Sequence, residues 1–166
     1  MMKNRLGFTM LELLVVIAVI GILSAIAMPN LVGWRQNRNF NTSVQRTISV
    51  MHSAKMHAVK ENVPTVVRFN VDDNHFRAFV DHSSPFNNLW DPETDRLIDF
   101  YNMPHGIRIT NASFAGGASW IRFNGRGMPN GLGGSVQLSS DRGLINAVVV
   151  NLTGRIRLTS GDTESE

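Results

Sequence analysis

Apolar residues are concentrated near the start of the chain, directly after a short basic segment at residues 1–7. Between Leu13 and Met28 the only polar side chain is Ser24. Together with the residues just before Leu13, the apolar stretch reaches about 20 residues, enough for a helix to cross a hydrocarbon core. The pattern therefore predicts a transmembrane helix over residues 8–30.

A second helical pattern follows, in which apolar residues recur three and four positions apart. It predicts an amphipathic helix over residues 31–62, which ends before Pro64. Pro29 lies between the two helical segments and has two interpretations, because it lacks a backbone donor: it ends the first helix, or it kinks a helix that continues. The apolar positions expected to face a core are Phe40, Val44, Ile48, Met51, Ala54 and Ala58.

Beyond Pro64 the hydrophobic period shortens to two residues and turn residues become frequent. This predicts a β-rich head over residues 63–158, with an irregular, turn-rich insertion at 82–106 and an acidic tail at 159–166 that is expected to be disordered. A long helix followed by short strands predicts an α+β fold, in which the helix packs on a small antiparallel sheet. The predicted strands are 65–70, 75–81, 96–100, 107–110, 120–124, 135–139, 147–152 and 155–158.

Composition narrows the classes of function. The 166 residues include no cysteine, which excludes thiol catalysis, cysteine-based metal sites and disulfides. The net charge is +3, and without Lys3 and Arg5 it becomes +1, from 14 basic and 13 acidic residues. Nucleic-acid binding would therefore require a local cluster of charge. The same two basic residues predict a leader that stays cytoplasmic and a head that is exported.

The junction between the leader and the apolar stretch carries a motif. Gly7, Phe8 and Thr9 are followed by Glu12, a carboxylate inside an apolar helix that costs a few kcal/mol. An ordinary signal peptide gains nothing from this carboxylate and would be cut after the apolar stretch, where residues 24–27 are a weak candidate site. The segment resembles the G-F-T-L-x-E motif of class III signal peptides in type IV pilins and type II secretion pseudopilins. The resemblance implies that a prepilin peptidase cuts after Gly7 and methylates the new N-terminus at Phe8.

Such processing would leave the whole apolar helix on the mature chain, with the amine of Phe8 one helical turn from Glu12. In a packed bundle, Glu12 of one subunit could neutralise the amine of a neighbour, because a paired charge at low dielectric costs far less than an unpaired one. This pairing would set the axial register between subunits. The resemblance also favours Pro29 as a kink within a continuing helix. Glu12 and Pro29 are thus the predicted assembly residues.

A narrower resemblance covers nearly the whole mature chain. Residues 54–66, 123–129, 135–138 and 148–157 are similar to the GspH/FimT group of minor pilins and pseudopilins. This group supplies structural subunits, rather than enzymes, to the tip or priming complex of type IV pili and to type II secretion systems. The resemblance implies a single-pass inner-membrane protein with a periplasmic head that joins a filament of other pilin-type subunits. Both filaments stay open as destinations.

The remaining residue patterns predict neither catalysis nor a cofactor nor a metal site. His52 and His57 are five positions apart, so they lie on different faces of the predicted helix. Asp91, Glu93 and Asp95 alternate as in a calcium loop, but the sixth position, which needs glycine, is an arginine. We interpret these carboxylates as a solvated acidic loop.

One local feature indicates a partner beyond the filament. Arg155 and Arg157 alternate on the last predicted strand, so both would point to the same exposed side while Ile156 and Leu158 face inward. In the FimT-type minor pilins that the chain resembles, the G-R-x-R pattern is linked to DNA binding during uptake. The resemblance thus implies that Arg155 and Arg157 contact DNA phosphates. A charged edge strand that binds no DNA is the alternative, and the acidic tail would oppose the contact.

Overall fold

The computed structural model describes residues 8–160, except for the side chains of residues 26–32. The predicted leader, including Gly7, and residues 161–166 lie outside this part of the chain. Within the described residues, one long helix and eight strands confirm the predicted α+β fold. The chain divides into two compact units, and the boundary between them follows Arg38. The elements are α1 (Met10–Glu61), β1 (Thr65–Asn70), β2 (His75–Val80), β3 (Arg96–Asn102), β4 (Ile107–Phe114), β5 (Trp120–Phe123), β6 (Gly134–Ser140), β7 (Ile145–Val150) and β8 (Ile156–Ser160).

Helix α1 continues through position 29, so the interpretation in which Pro29 ends the helix is wrong, and the kink stays a prediction. The helix ends at Glu61, and the next residue, Asn62, has a φ of 54°. A left-handed residue commonly closes a helix, and asparagine tolerates this conformation better than most side chains do. The end of the helix was therefore predicted to within one residue.

The head unit begins at Asn39, eight residues after the predicted boundary at 31, and the apolar face of α1 forms one side of its core. The only predicted core position on this face that is not fully buried is Ile48, which is half-buried and packs on the same cluster. Among the polar residues of the face, Thr47 is buried and its Oγ1 donates to the carbonyl oxygen of Ser43 at 2.9 Å. The amphipathic pattern is thereby confirmed, with Phe40, Val44, Met51, Ala54 and Ala58 all buried.

The strands form two sheets, where the sequence pattern predicted one. Their orders are β3-β2-β1-β5, called sheet 1, and β4-β6-β7-β8, called sheet 2, and every pairing is antiparallel. The chain passes from sheet 2 to sheet 1 through a turn between β4 and β5, where Gly116 and Gly117 both have a φ of 75°. Glycine adopts this conformation at little cost, and it lets the chain change direction sharply.

The last hairpin is longer than predicted. Strand β8 extends to Ser160, so the first two residues of the predicted tail, Thr159 and Ser160, belong to the sheet and pair with β7. In sheet 2, β8 is an edge strand, as the sequence suggested. The head therefore ends later than residue 158.

The insertion between β2 and β3 is ordered by two carboxylates. Asp81 is fully buried and accepts hydrogen bonds from the backbone amides of Ser83, at 3.1 Å, and Asn88, at 2.9 Å. Asp95 is 8% exposed and accepts from the amides of His82, at 2.9 Å, and Asp91, at 3.0 Å. Aspartate is suited to this role, because an ionised carboxylate accepts several hydrogen bonds. The prediction of a solvated acidic loop is therefore wrong for Asp95.

This loop, residues 82–95, covers part of the outer face of sheet 1. The Trp90 ring packs edge-on against Phe79, with ring centroids 5.5 Å apart, and Phe79 is fully buried outside the main core cluster. Arg122 donates to the side-chain oxygen of Asn88 at 3.0 Å, which fixes the loop to β5. Sheet 1 thus lies between the main core and a second, smaller apolar layer.

Ion pairs connect the exposed edge of α1 to β3. Arg46 lies 2.9 Å from the carboxylate of Asp99, and Arg96 bonds to Glu61. Glu61 also accepts a hydrogen bond from His57 Nδ1 at 2.9 Å. The hydrogen bonds from His57 and then Arg96 lower the pKa of Glu61 below its ordinary value of 4.5, because both favour the ionised form.

Candidate functional site

The start of α1 is stabilised by the residues of the leader-junction motif. Thr9 precedes the helix, and its Oγ1 accepts a hydrogen bond from the amide of Glu12 at 3.3 Å. Its carbonyl oxygen accepts from the amide of Leu13 at 3.2 Å. Thr9 is therefore the N-cap, and Glu12 occupies the third helical position, as in a T-x-x-E capping box. The sequence contained this signal, but the carboxylate was interpreted only as an assembly residue.

Glu12 and Phe8 are both exposed in the described structure, Phe8 at 80%. Within residues 8–160, the carboxylate of Glu12 forms no ion pair. A negative charge in the first helical turn is favourable, because the amide ends of the helix carry a partial positive charge. The predicted pairing partner, an amine created at Phe8 by cleavage after Gly7, belongs to the processed chain, so this pairing stays a prediction.

The following three turns of α1 present a continuous apolar surface. Leu14, Ile22 and Leu23 are 64%, 64% and 60% exposed, and no described residue covers them. Ser24 donates its hydroxyl hydrogen to the carbonyl oxygen of Ile20 at 2.7 Å, which pairs the one polar side chain of the segment locally. A surface of this kind is a contact surface, because soluble monomers rarely expose such large apolar patches. Across the part of the chain that the structure describes, no helix meets the length and apolarity needed to cross a membrane.

The two arginines of the C-terminal hairpin lie at the edge of sheet 2. Arg157 is on β8 opposite Val149, and Arg155 lies in the turn just before β8, where its amide donates to Asn151 Oδ1 at 2.9 Å. Both arginines are exposed, as predicted. Leu158 lies opposite the buried Val148, so it is on the inner face of sheet 2 as expected, but it is still 43% exposed on this edge strand.

The turn of this hairpin is fixed to the helix through Gly154. Lys55 Nζ donates to the carbonyl oxygen of Gly154 at 2.9 Å. Gly154 has a φ of 72°, and a Cβ atom there would lie 2.4 Å from the carbonyl oxygen of Gly127. Gly127, in turn, closely approaches Lys55 and Val59 of α1. Three motifs that are far apart in sequence, around residues 55, 127 and 154, therefore meet at one place, and Arg155 is held directly beside it.

The other candidate residues are not brought together. His52, His82 and His105 are exposed at separate places in the fold. Asp91, Glu93 and Asp95 do not converge, because Asp95 points to backbone amides and Asp91 accepts from the amide of Glu93 at 2.9 Å. Within residues 8–160, no group of three histidines or carboxylates is placed to hold a metal ion.

Comparison with known proteins decides the family. Residues 43–154 match the family described as type II transport protein GspH, and residues 2–28 match the prokaryotic N-terminal methylation motif. The chain belongs to the GspH family. The methylation-motif match includes the motif at the start of α1, and the GspH match ends at Gly154, directly before Arg155.

Relatives of this GspH-family chain come from both kinds of filament. It is 53% identical over 38 residues to the type IV wide pilus major component PilA4 of Thermus thermophilus, a match that spans 23% of the chain and 29% of that protein. Its fold is similar to the minor pseudopilin EpsH of the Vibrio cholerae type 2 secretion system, with a TM-score of 0.58 and 12% identity over 75% of the chain and 99% of that structure. Its fold is also similar to the type IV minor pilin FimU of Pseudomonas aeruginosa, with a TM-score of 0.57 and 9% identity. That match covers 78% of the chain and 95% of the FimU structure.

These findings establish a subunit of the minor pilin and pseudopilin type, with a prepilin-type N-terminal signal. Such subunits are structural components that assemble with other pilin-type subunits and are anchored in the inner membrane. Membership of the GspH family therefore confirms the predicted fold and the predicted general role. Solved structures with this fold include subunits of both a type IV pilus and a type 2 secretion system.

Proposed function

We propose that this chain is a minor pilin that joins or primes the tip of a type IV pilus and has no catalytic activity. The observation that supports the proposal is the exposed apolar surface over the first turns of α1, in a GspH-family chain with a methylation motif. Before assembly this segment is anchored in the inner membrane, with the head in the periplasm. In the filament, neighbouring helices cover the same surface. A pseudopilin of a type II secretion system is the alternative.

Processing is tested by N-terminal mass spectrometry of the chain extracted from membranes. We expect prepilin peptidase to cut after Gly7, so that the mature chain starts at methylated Phe8. A mature start near Met28 would indicate an ordinary signal peptide and would rule out the filament proposal.

Assembly is tested by the variant Glu12→Ala. The bond from the amide of residue 12 to Thr9 involves only backbone at that residue, so the helix cap should persist. Membrane insertion should be unchanged or improved, because a costly charge is removed. Recovery of the chain in sheared surface filaments should fall at least about tenfold, because a neighbour's amine would be left unpaired at low dielectric.

The matched control is Glu93→Ala, which removes an exposed carboxylate of the head. Recovery of Glu12→Ala at the level of this control would contradict the pairing. If deletion of the gene abolishes protein secretion while surface filaments stay normal, the secretion alternative is correct.

A second function, contact with DNA, is supported by the position of Arg155 and Arg157. Both are exposed at the edge of sheet 2, and within residues 8–160 neither has a carboxylate within salt-bridge distance. Exposed guanidinium groups can bind phosphate oxygens. Two arginines provide few phosphate contacts, so binding should be weak and nearly independent of sequence.

Gel-shift titrations of the full-length chain in detergent, at two salt concentrations, test this contact. Arg155→Gln combined with Arg157→Gln should weaken binding of duplex DNA and reduce the salt slope by up to about two phosphate contacts. The matched control is Arg108→Gln combined with Arg142→Gln, two exposed arginines elsewhere in the head. An equal loss of DNA affinity in both double variants would contradict the assignment of the contact to Arg155 and Arg157. The absence of a gel shift for the unmodified chain would contradict it too.

A further inference from the structure

The outer face of sheet 1 carries a row of four large side chains, one from each strand. Arg68 of β1 pairs with Trp120 of β5 on one side and with Arg77 of β2 on the other, and Arg77 pairs with Phe100 of β3. Directly opposite residues in antiparallel strands share a face of the sheet. From β3 to β5, the row therefore consists of an aromatic ring, two cations and a second aromatic ring.

The guanidinium group of Arg77 is positioned by aromatic rings. Its central carbon lies 5.3 Å from the ring centroid of Trp90 and 5.2 Å from that of Phe100. His75 packs on Phe100, with ring centroids 5.0 Å apart. Aromatic rings at this distance attract a guanidinium through its positive charge, and its N–H groups can still donate to an acceptor.

The two arginines lack an anionic partner within the described residues. Arg68 donates to the backbone carbonyl oxygen of Asn88 at 3.2 Å, and neither Arg68 nor Arg77 lies within salt-bridge distance of a carboxylate in residues 8–160. Like charges directly opposite each other on a sheet are destabilising. A bound anion would relieve this repulsion.

A groove of about 510 Å³ lies over the pair, lined by Arg68, Arg77 and their neighbours. It contains one carboxylate, Asp73, whose Oδ2 accepts a hydrogen bond from Asn70 at 2.6 Å. Two arginines and one aspartate leave the groove with a charge of +1, with histidine counted as neutral. The other side chains that line it are Asn70, His75, Leu89 and Trp90.

We propose that this groove binds a carboxylate side chain from an acidic segment of a neighbouring pilin-type subunit. A planar carboxylate matches the planar guanidinium group of an arginine, with which it forms two parallel hydrogen bonds. The role rests on the proposed function, because the partner is another subunit of the same filament. Binding in the groove would thereby determine which neighbouring subunit packs against sheet 1.

A nucleic acid fits this groove less well. The rings of Trp90 and Phe100 already contact Arg77, so neither is freely available for a base to stack on. Two cations beside Asp73 would also neutralise few phosphates, and affinity for nucleic acid depends mainly on their number. Charge and shape therefore favour a carboxylate on a peptide.

The test uses the full-length chain in detergent and a fluorescently labelled hexaglutamate peptide, titrated by anisotropy. Arg77→Gln should lower the affinity for this peptide at least about tenfold, because a charge-assisted bidentate pair is lost. Arg77→Lys should also weaken binding, because an ammonium group cannot form the planar pair. Arg142→Gln, an exposed arginine outside the groove, should bind like the unmodified chain.

Thermal unfolding of Arg77→Lys, which keeps the charge, separates a folding defect from a binding defect. The proposal fails if hexaglutamate does not bind, or if Arg77→Gln and Arg142→Gln bind it equally. It also fails if a six-nucleotide thymidine oligonucleotide binds more tightly than the peptide through Arg77. The titration requires no filament, so it tests the groove independently of the proposed function. If the peptide binds through Arg77 but the chain is absent from filaments, carboxylate binding by the groove is supported and only the filament proposal fails.

Discussion

At the scale of single residues, glycine conformation and close backbone approach determine how the C-terminal hairpin is held. Gly154→Ala should destabilise the head by about 2–4 kcal/mol, since it adds a clash with backbone to the cost of a left-handed residue. The added Cβ would lie 2.4 Å from the carbonyl oxygen of Gly127, which cannot move as a side chain can. Urea unfolding of the full-length chain in detergent measures the difference.

Gly143→Ala is the matched control. Gly143 has a φ of 81°, but a Cβ atom added there would have no neighbouring atom within 4 Å, so only the backbone cost of about 1–2 kcal/mol should appear. Equal losses at the two glycines would show that the contact between the turn and Gly127 contributes nothing.

These residue-scale features differ in how far they could be predicted from the sequence. The T-x-x-E cap at Thr9 could be recognised directly, because both partners lie within one helical turn. The role of Gly154 could not, since it depends on Lys55 and Gly127, which are 99 and 27 positions away. The exposure of Arg157 was predictable from strand alternation, whereas Arg155 lies in the turn before β8 and Leu158 is 43% exposed although it is on the inner face.

At the scale of elements, the contact between the end of α1 and β3 should make stability depend on pH. The hydrogen bonds from His57 and Arg96 lower the pKa of Glu61, so this contribution is present above the ordinary value of 4.5 and is lost as pH falls through the lower folded value. Glu61→Gln should reduce the fall in thermal midpoint between about pH 5 and pH 3. Glu93→Gln, an exposed carboxylate, should leave that fall unchanged, and an unchanged fall in Glu61→Gln would contradict the contact.

The existence and type of the elements were largely predictable, because period-two and period-3.6 patterns depend on local sequence. The loop that covers part of the outer face of sheet 1 was not predictable in this way. Residues 82–95 form no helix or strand, and their order comes from backbone amides that converge on Asp81 and Asp95. A pattern of turn residues cannot show that a carboxylate is buried.

At the scale of the whole molecule, the division into two sheets follows from pairings that no local pattern specifies. Strand β1 pairs with β5 although about 50 residues separate them, and β4 and β5, adjacent in sequence, belong to different sheets. The family resemblance correctly implied a helix with an antiparallel head, but neither the groove at Arg77 nor the second apolar layer could be inferred from it.

The edge position of β8 has a consequence for the order in which the strands of the head open. Strand β1 is paired on both sides and has four of its six residues buried, whereas β8 is paired only with β7 and has four of its five residues exposed. Local opening is easiest where few apolar contacts hold the backbone. Amide hydrogens of β8 should thus exchange with solvent well before those of β1, so the strand that carries Arg157 should open before the strand that carries Arg68.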